Sequence, residues 1–165
     1  MNIGRLFKHL LAQRWLAARH FGPALSAEVG AAVVVAESNQ RGELRFVVEG
    51  PIPFVYLWHG HVARQRADDL FAQLRVWDTE ENSGVLIYVQ LVDRCVEILA
   101  DRGIAAKVPQ AEWDAICRSM EMAFKSGDYR GGALAAIRRA GELLAQYFPA
   151  GDRNPNELPN QPILL

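Results

Sequence analysis

The stretch Gly84–Gly103, GVLIYVQLVDRCVEILADRG, constrains the fold more than any other part of the chain. Val85, Ile87, Val89 and Leu91 alternate with Leu86, Tyr88, Gln90 and Val92. Successive side chains of a strand point to opposite faces, so this segment is apolar on nearly all of both. Such a strand belongs inside a sheet that is covered on each side. A second apolar run, Val96–Ala100, follows Asp93 and Arg94, which suit a turn. The pattern predicts a hairpin with a two-residue Asp93–Arg94 turn. Leu91 is then expected opposite Val96, Gln90 opposite Glu97, and Ile87 opposite Ala100, because opposed residues share a face. A register shifted by one would set Val89 and Leu91 beside Glu97 and Cys95, which argues against an odd-length turn.

The flanking segments supply what such a strand needs. Leu44–Glu49 alternates as a strand, with Leu44, Phe46 and Val48 on one side. Between the two strands, Ala63, Ala67, Leu70, Phe71 and Leu74 recur at helical spacing within residues 61–77, the pattern of a crossover helix, so the strands it joins are expected to be parallel. Ser26 is expected to cap a helix carrying Val29, Ala32, Val33 and Ala36, and Pro109 to start one buried through Trp113, Ile116, Cys117, Met120, Ala123 and Phe124. After Gly127, Asp128 is expected to cap a last helix with Ala133, Ile137, Ala140, Leu144, Tyr147 and Phe148 inward. Residues 4–20 read as one basic amphipathic helix that packs on the domain or a neighbouring subunit, or docks on a membrane surface or a partner. The predicted organisation is an N-terminal helix and linker over 1–25, an α/β domain over 26–150 and an extended tail over 151–165, whose final PILL could dock on something apolar. The fold class is α/β: a small mixed sheet of at least three strands with helices on both faces.

Eighteen basic and 19 acidic side chains leave a net charge of −1, which lacks the basic footprint of a nucleic-acid binder. The N-terminal segment is interrupted by Gln13, Arg14 and Arg19, unlike the apolar run of a signal peptide, and a cytoplasmic placement is expected. Cys95 and Cys117 lie in apolar surroundings without CxxC spacing and read as reduced, mostly buried thiols.

Few residues suggest chemistry. His59 and His61 form an HxH pair without further ligands in the vicinity, and His9 and His20 are expected on the surface of the basic helix. Asp93, Arg94 and Glu49 are expected at the carboxyl edge of the strands, where ligands of open α/β sheets bind, with Asp101 and Arg102 at the opposite edge. Asp78, Glu80, Glu81 and Asn82 form an acidic connector of the oxygen-rich kind that hard cations favour. Glu49, Asp78, Glu80 and Asp93 are thus the candidate ligands for Ca2+ or Mg2+, while Asp93 and Arg94 are the candidate catalytic pair. Gly131 and Gly132 are read as allowing close helix packing. The chain has no GxGxxG after a strand, and no P-loop, GxSxG or HExxH motif.

Taken in order, GELRFVVEG, WDTEENSGVLIYVQLVDR, VEILADRGIA and AFKSGDYRGG resemble the TPM domain family across about Ser26–Phe148, and look closest to a short bacterial branch without export signal or membrane anchor. The resemblance implies a three-layer, Rossmann-like α/β/α sandwich, with divalent-cation binding or acid phosphatase activity in some members and regulatory roles in others. Exported members often carry two acidic residues at the hairpin turn, where this chain has Val92 and Asp93, and Gly-Tyr-Gly with a glutamate after the second strand, where it has Asp101, Arg102, Gly103 and Ile104. Carry-over is limited to Asp93, Arg94 and Gly103. The expected function is a binding or regulatory module, with Ca2+ or Mg2+ as its candidate ligand and no other cofactor required. The alternatives are a metal-assisted phosphatase, with Asp93 as ligand or nucleophile and Arg94 on a phosphoryl oxygen, and an adaptor that reaches a membrane surface or protein partner through the N-terminal helix.

Overall fold

The computed structural model describes residues 3–12, 15–59, 62–151 and 155–165. Helices α1 (Ile3–Leu11), α2 (Leu16–His20) and α3 (Pro23–Glu37) come first. Strand β1 (Glu43–Glu49) leads through α4 (Phe54–Trp58) and α5 (Ala63–Gln73) to β2 (Gly84–Gln90), which turns back into β3 (Cys95–Ala100). Helices α6 (Arg102–Ala105), α7 (Gln110–Lys125) and α8 (Tyr129–Tyr147) follow, and the tail contributes β4 (Ile163–Leu164).

The four strands lie in the order β3-β2-β1-β4. β1 runs parallel to β2 and β4, and β2 antiparallel to β3. β2 is therefore interior and buried at every residue, as its two apolar faces require. Leu44, Phe46, Val48, Val85, Ile87 and Val89 face α3, α7 and α8 in the larger core, to which Trp113, Ile116, Met120, Ile137 and Leu144 belong. On the other face Val47, Leu86, Tyr88 and Leu99 meet Ala63, Ala67 and Leu70 of α5. The result is the expected mixed sheet between two helical layers.

The strand entry is tight. A Cβ on Gly84 would lie 1.9 Å from the Val76 carbonyl oxygen, so glycine alone lets β2 start beneath the end of the crossover. Gly132 plays the packing role expected of it, since a Cβ there would meet Ala123 and Phe124 of α7 at 2.9 Å. Asp128 caps α8 by accepting the Gly131 N–H at 2.7 Å.

Several expectations need correction. The hairpin keeps the expected facing but is displaced by two residues: Gln90 pairs with Cys95, Val89 with Val96, Tyr88 with Glu97 and Val85 with Ala100. The cause is visible in the loop Leu91–Arg94. The Leu91 N–H bonds across to Glu49 O at 3.0 Å, Gln90 Oε1 accepts the Asp93 N–H at 2.8 Å, and Arg94 takes φ of 56°. The local bonds of a four-residue loop thus outweigh the shorter turn.

The single helix expected over 4–20 is two helices. α1 turns Arg5 and His9 toward the hairpin loop, whereas Ala17 and Phe21 enter the larger core, and one straight rod does not serve both. Ser26 lies inside α3, which starts at Pro23 behind Gly22, and its hydroxyl donates to Phe21 O at 3.0 Å. Pro109 occupies the cap position just before α7. The tail is extended and also structural: Leu158 is buried, Glu43 accepts the Leu158 N–H at 3.0 Å, and Arg45 donates to Pro159 O and, at 2.9 Å, to Gln161 O. Residues on either side of the expected 25/26 and 150/151 boundaries therefore share cores. Among the described residues, no helix is long and apolar enough to cross a membrane.

Candidate functional site

Parallel strands deliver their final side chains to one edge of the sheet, and here those are Glu49 of β1 and Gln90 of β2. Glu49 is 2% exposed. Arg66, on the inward side of α5, donates to it from Nη2 at 2.7 Å and from Nε at 3.1 Å, and the Tyr88 hydroxyl donates at 2.5 Å. A buried carboxylate needs such partners to be tolerated. Burial, and then the Glu49 charge, push the Tyr88 hydroxyl above its ordinary range. The Arg66 guanidinium also stacks over Tyr56 at 5.0 Å.

Asp93 sits at the same edge in a separate constellation. Arg5 grips it in bidentate fashion, Nη2 at 2.7 Å and Nε at 2.9 Å, and His9 Nε2 lies 3.1 Å from Oδ1. The Ile52 N–H donates to His9 Nδ1 at 3.0 Å. Because Nδ1 accepts, the neutral ring carries its proton on Nε2 and gives that hydrogen bond to Asp93. Burial would raise the Asp93 carboxyl, but the bonds from His9 and Arg5 prevail and hold it at about 2. His9 is 3% exposed, which overturns its expected surface position. Both ring nitrogens are engaged, so the chain Arg5–Asp93–His9–Ile52 reads as a clasp on α1. Gln90 ties it to the sheet by donating to Gly50 O while accepting from Asp93 N.

The four candidate metal ligands fall into separate places. Glu49 belongs to Arg66 and Tyr88, and Asp93 to Arg5 and His9. Asp78 pairs with Arg75 at 2.5 Å on the connector before β2, and the Glu80 N–H donates to Glu157 of the tail at 3.0 Å. Glu81 pairs with Arg41, and Asn82 accepts from Arg102 at 2.8 Å. Among the described residues, no group of three or more His, Cys, Asp or Glu side chains is arranged to hold a metal ion. His59 is exposed with Nδ1 2.8 Å from Val55 O, and His61 lies outside the described residues. His20 is partly buried and stacks on Tyr129 at 4.2 Å. Asp101 caps α6 through Arg102 N, and Gly103 is forced by the Glu81 carbonyl, 2.6 Å from where its Cβ would stand.

Arg94 points to a different site. It is exposed on the loop and helps to line a cleft of about 790 Å³ between the carboxyl end of β2 and the outer side of α7. The apolar part of the lining comes from Val89, Leu91, Met122, Phe124 and Tyr129. Arg94, Arg118 and Lys125 bring three cations, against the single carboxylate of Glu121, which accepts the Val96 N–H at 2.9 Å. Cys95 also borders the cleft, a free thiol that burial pushes up to about 12, as it does Cys117. Such thiols are poor nucleophiles at neutral pH. Arg118, Met122 and Lys125 were not anticipated from the sequence. Their signal was the outer side of α7, where an exposed methionine lies between cations four residues before it and three after it.

Comparison with known proteins agrees with this architecture. A family model described as the TPM domain matches residues 17–143, a span that starts after α1 and its Arg5 and His9. The NMR structure of BA42 protein from the psychrophilic bacterium Bizionia argentinensis is similar, with a TM-score of 0.75 and 31% identity over 85% of this chain and 92% of that one. A search of curated proteins finds no match. The parallel pair β1–β2, the hairpin into β3 and the helical layers on both faces thus accompany a match over most of the chain, and the chain belongs to the TPM domain family.

Proposed function

We propose that this TPM-domain chain is a binding or regulatory module whose ligand is an anion with an apolar body, taken into the cleft between the hairpin loop and α7. The observation that carries this reading is the lining itself, an apolar floor with Arg94, Arg118 and Lys125 around it. A volume of about 790 Å³ suits a small molecule or a short peptide end, and the cleft opens at the carboxyl end of a parallel strand. Hexyl phosphate is a suitable probe, with inorganic phosphate and hexanol as controls. In a two-dimensional amide NMR titration, hexyl phosphate should bind at least tenfold more tightly than either control and shift Arg94, Arg118, Met122 and Lys125. Arg118→Gln with Lys125→Gln should weaken it by about tenfold, the usual worth of one or two charge-assisted contacts. Equal binding of all three probes, or shifts confined to other faces, would sink the idea.

Ca2+ or Mg2+ is a second ligand we propose, at the connector before β2. Its support is the oxygen-rich connector itself, to which the Glu80 N–H ties Glu157 of the tail. The described carboxylates are not gathered as a ligand set, so a bound ion would have to draw Asp78, Glu81 and Glu157 together. Because those carboxylates have arginine or backbone partners, binding should be weak, in the millimolar range typical of loosely built oxygen sites. Calorimetric titration of the intact chain and of Glu157→Gln with CaCl2 decides this, and identical heats would remove the claim. Metal-assisted phosphatase chemistry has less support, since Asp93 is occupied by Arg5 and His9 while Arg94 faces the cleft. Turnover of p-nitrophenyl phosphate by the intact chain, abolished in Asp93→Ala, would restore it.

A further inference from the structure

Helix α1 is mounted inside out. At 100° per residue, Arg5 and His9 share one side of the helix, and that side faces the domain through Asp93 and Ile52. The opposite side carries Phe7, Leu10 and Leu11, which are 59%, 60% and 79% exposed. An ordinary surface helix buries its apolar side and exposes its polar one. α1 packs against α4, which continues the pattern: Leu57 is buried while Phe54, Val55 and Trp58 point outward, with the Phe54 and Trp58 rings 5.7 Å apart. Trp15 and Val62 are also about half exposed. Soluble monomers rarely show large aromatic and aliphatic side chains this concentrated, and such patches mark contact surfaces.

The charge around the patch bears on what it would contact. Residues 1–27 and 50–62, which supply α1, α2 and α4, contain no aspartate or glutamate, whereas the first of these segments carries Lys8 and Arg19 besides Arg5, which is paired with Asp93. Lys8 is exposed beside Phe7, and the Arg19 guanidinium lies over the Trp15 ring at 5.4 Å. Two copies meeting through this patch would bring Lys8 and Arg19 of each toward the other, while the nearby Asp93 is already committed to Arg5 and His9. A lipid surface with anionic headgroups accepts both features at once: leucine and phenylalanine enter the acyl boundary, tryptophan prefers the headgroup level, and Lys and Arg remain at the phosphates.

We infer that α1 and α4 form a peripheral docking surface for an anionic membrane, held in its outward-facing pose by the clasp of Asp93 on Arg5 and His9. Flotation of the full chain with vesicles provides the test. Phosphatidylcholine vesicles containing phosphatidylglycerol should carry the protein up the gradient, pure phosphatidylcholine vesicles should carry at least tenfold less, and added NaCl should release it. Phe7→Ser with Leu11→Ser, at two exposed sites outside the cores, should reduce flotation by tenfold or more, with circular dichroism melts as the check that the variant folds. Lys8→Glu should act on the anionic vesicles in the same direction. Three results overturn the inference: absence of flotation on anionic vesicles, flotation that the folded double variant retains, and a concentration-dependent dimer that the double variant dissolves. The last would make the patch a contact between copies, and a protein that the patch captures while vesicles are ignored would make it a partner site.

Discussion

Burial of Glu37 couples the stability of the fold to pH. It is 7% exposed, its Oε1 accepts the Leu44 N–H at 2.8 Å, and its Oε2 accepts from Asn160 of the tail. Burial, with the Glu43 charge adding to it, raises its carboxyl from 4.5 to about 8 against the pull of those two bonds. Raising a carboxyl by that much places about 5 kcal/mol on the ionised form. Below the unfolded value of 4.5 both states hold the proton and the group costs nothing. Between 4.5 and 8 the folded chain binds one proton more than the unfolded chain, so stability falls as pH rises, by about 1.4 kcal/mol per pH unit. Above 8 the slope disappears. Glu37→Gln keeps an acceptor for Leu44 and has nothing to ionise, so it isolates the effect from the other titrating groups. Urea unfolding of both proteins at intervals from pH 5 to pH 9 should show the variant gaining on the parent by several kcal/mol, up to about 5. Curves that stay parallel within about 0.5 kcal/mol would refute the reasoning, because measured stabilities resolve a gap of that size.

Four further outcomes are expected. Gly84→Ala forces a Cβ toward a main-chain carbonyl, and thermal melts should show a loss of about 3 kcal/mol, whereas a change below about 1 kcal/mol would mean the crossover end yields easily. Leu158→Ala should cost about 2 to 3 kcal/mol in urea unfolding and, by loosening the strand that covers β1, promote association at high concentration seen in light scattering. His9→Ala should leave the global melt nearly unchanged but raise amide exchange across α1 by about tenfold or more, as local opening does. Lowering the pH should release α1 in the parent: Asp93 titrates at about 2 against an ordinary 3.8, so its contribution is present above about 4 and lost as pH falls through 2.

What the sequence revealed and what it concealed divide along physical lines. Strand β2 was legible because two-sided apolar alternation leaves no other place for it, and α5, α7 and α8 because their spacing repeats over several turns. The hairpin register was legible only in its facing. Period-two patterning cannot distinguish a turn from one two residues longer, and the choice was made by the Gln90 side chain and the left-handed Arg94. The edge that gathers Glu49 and Asp93 was foreseen, but their partners were not. Arg66 and Arg5 are distant in sequence, and any exposed charge on a helix looks alike until the fold brings a carboxylate beside it. His9 was misplaced for the same reason. The tail contact depends on Glu37, Glu43 and Arg45, whose burial contradicts composition and follows only from the sheet edge they serve.

The polar residues at the two ends of β1 also bear on how the sheet assembles. Glu43 is bonded to the Leu158 amide, and Glu49 to Arg66 and Tyr88, while the span between them is paired to β2 residue for residue. Sliding β1 by two residues would keep every apolar side chain on its proper face, the error that alternation alone cannot reject. It would also tear both carboxylates from their partners and leave them buried, at a cost of several kcal/mol each. The strand thus carries a stop at each end, which sets its register where alternation alone would allow a slip.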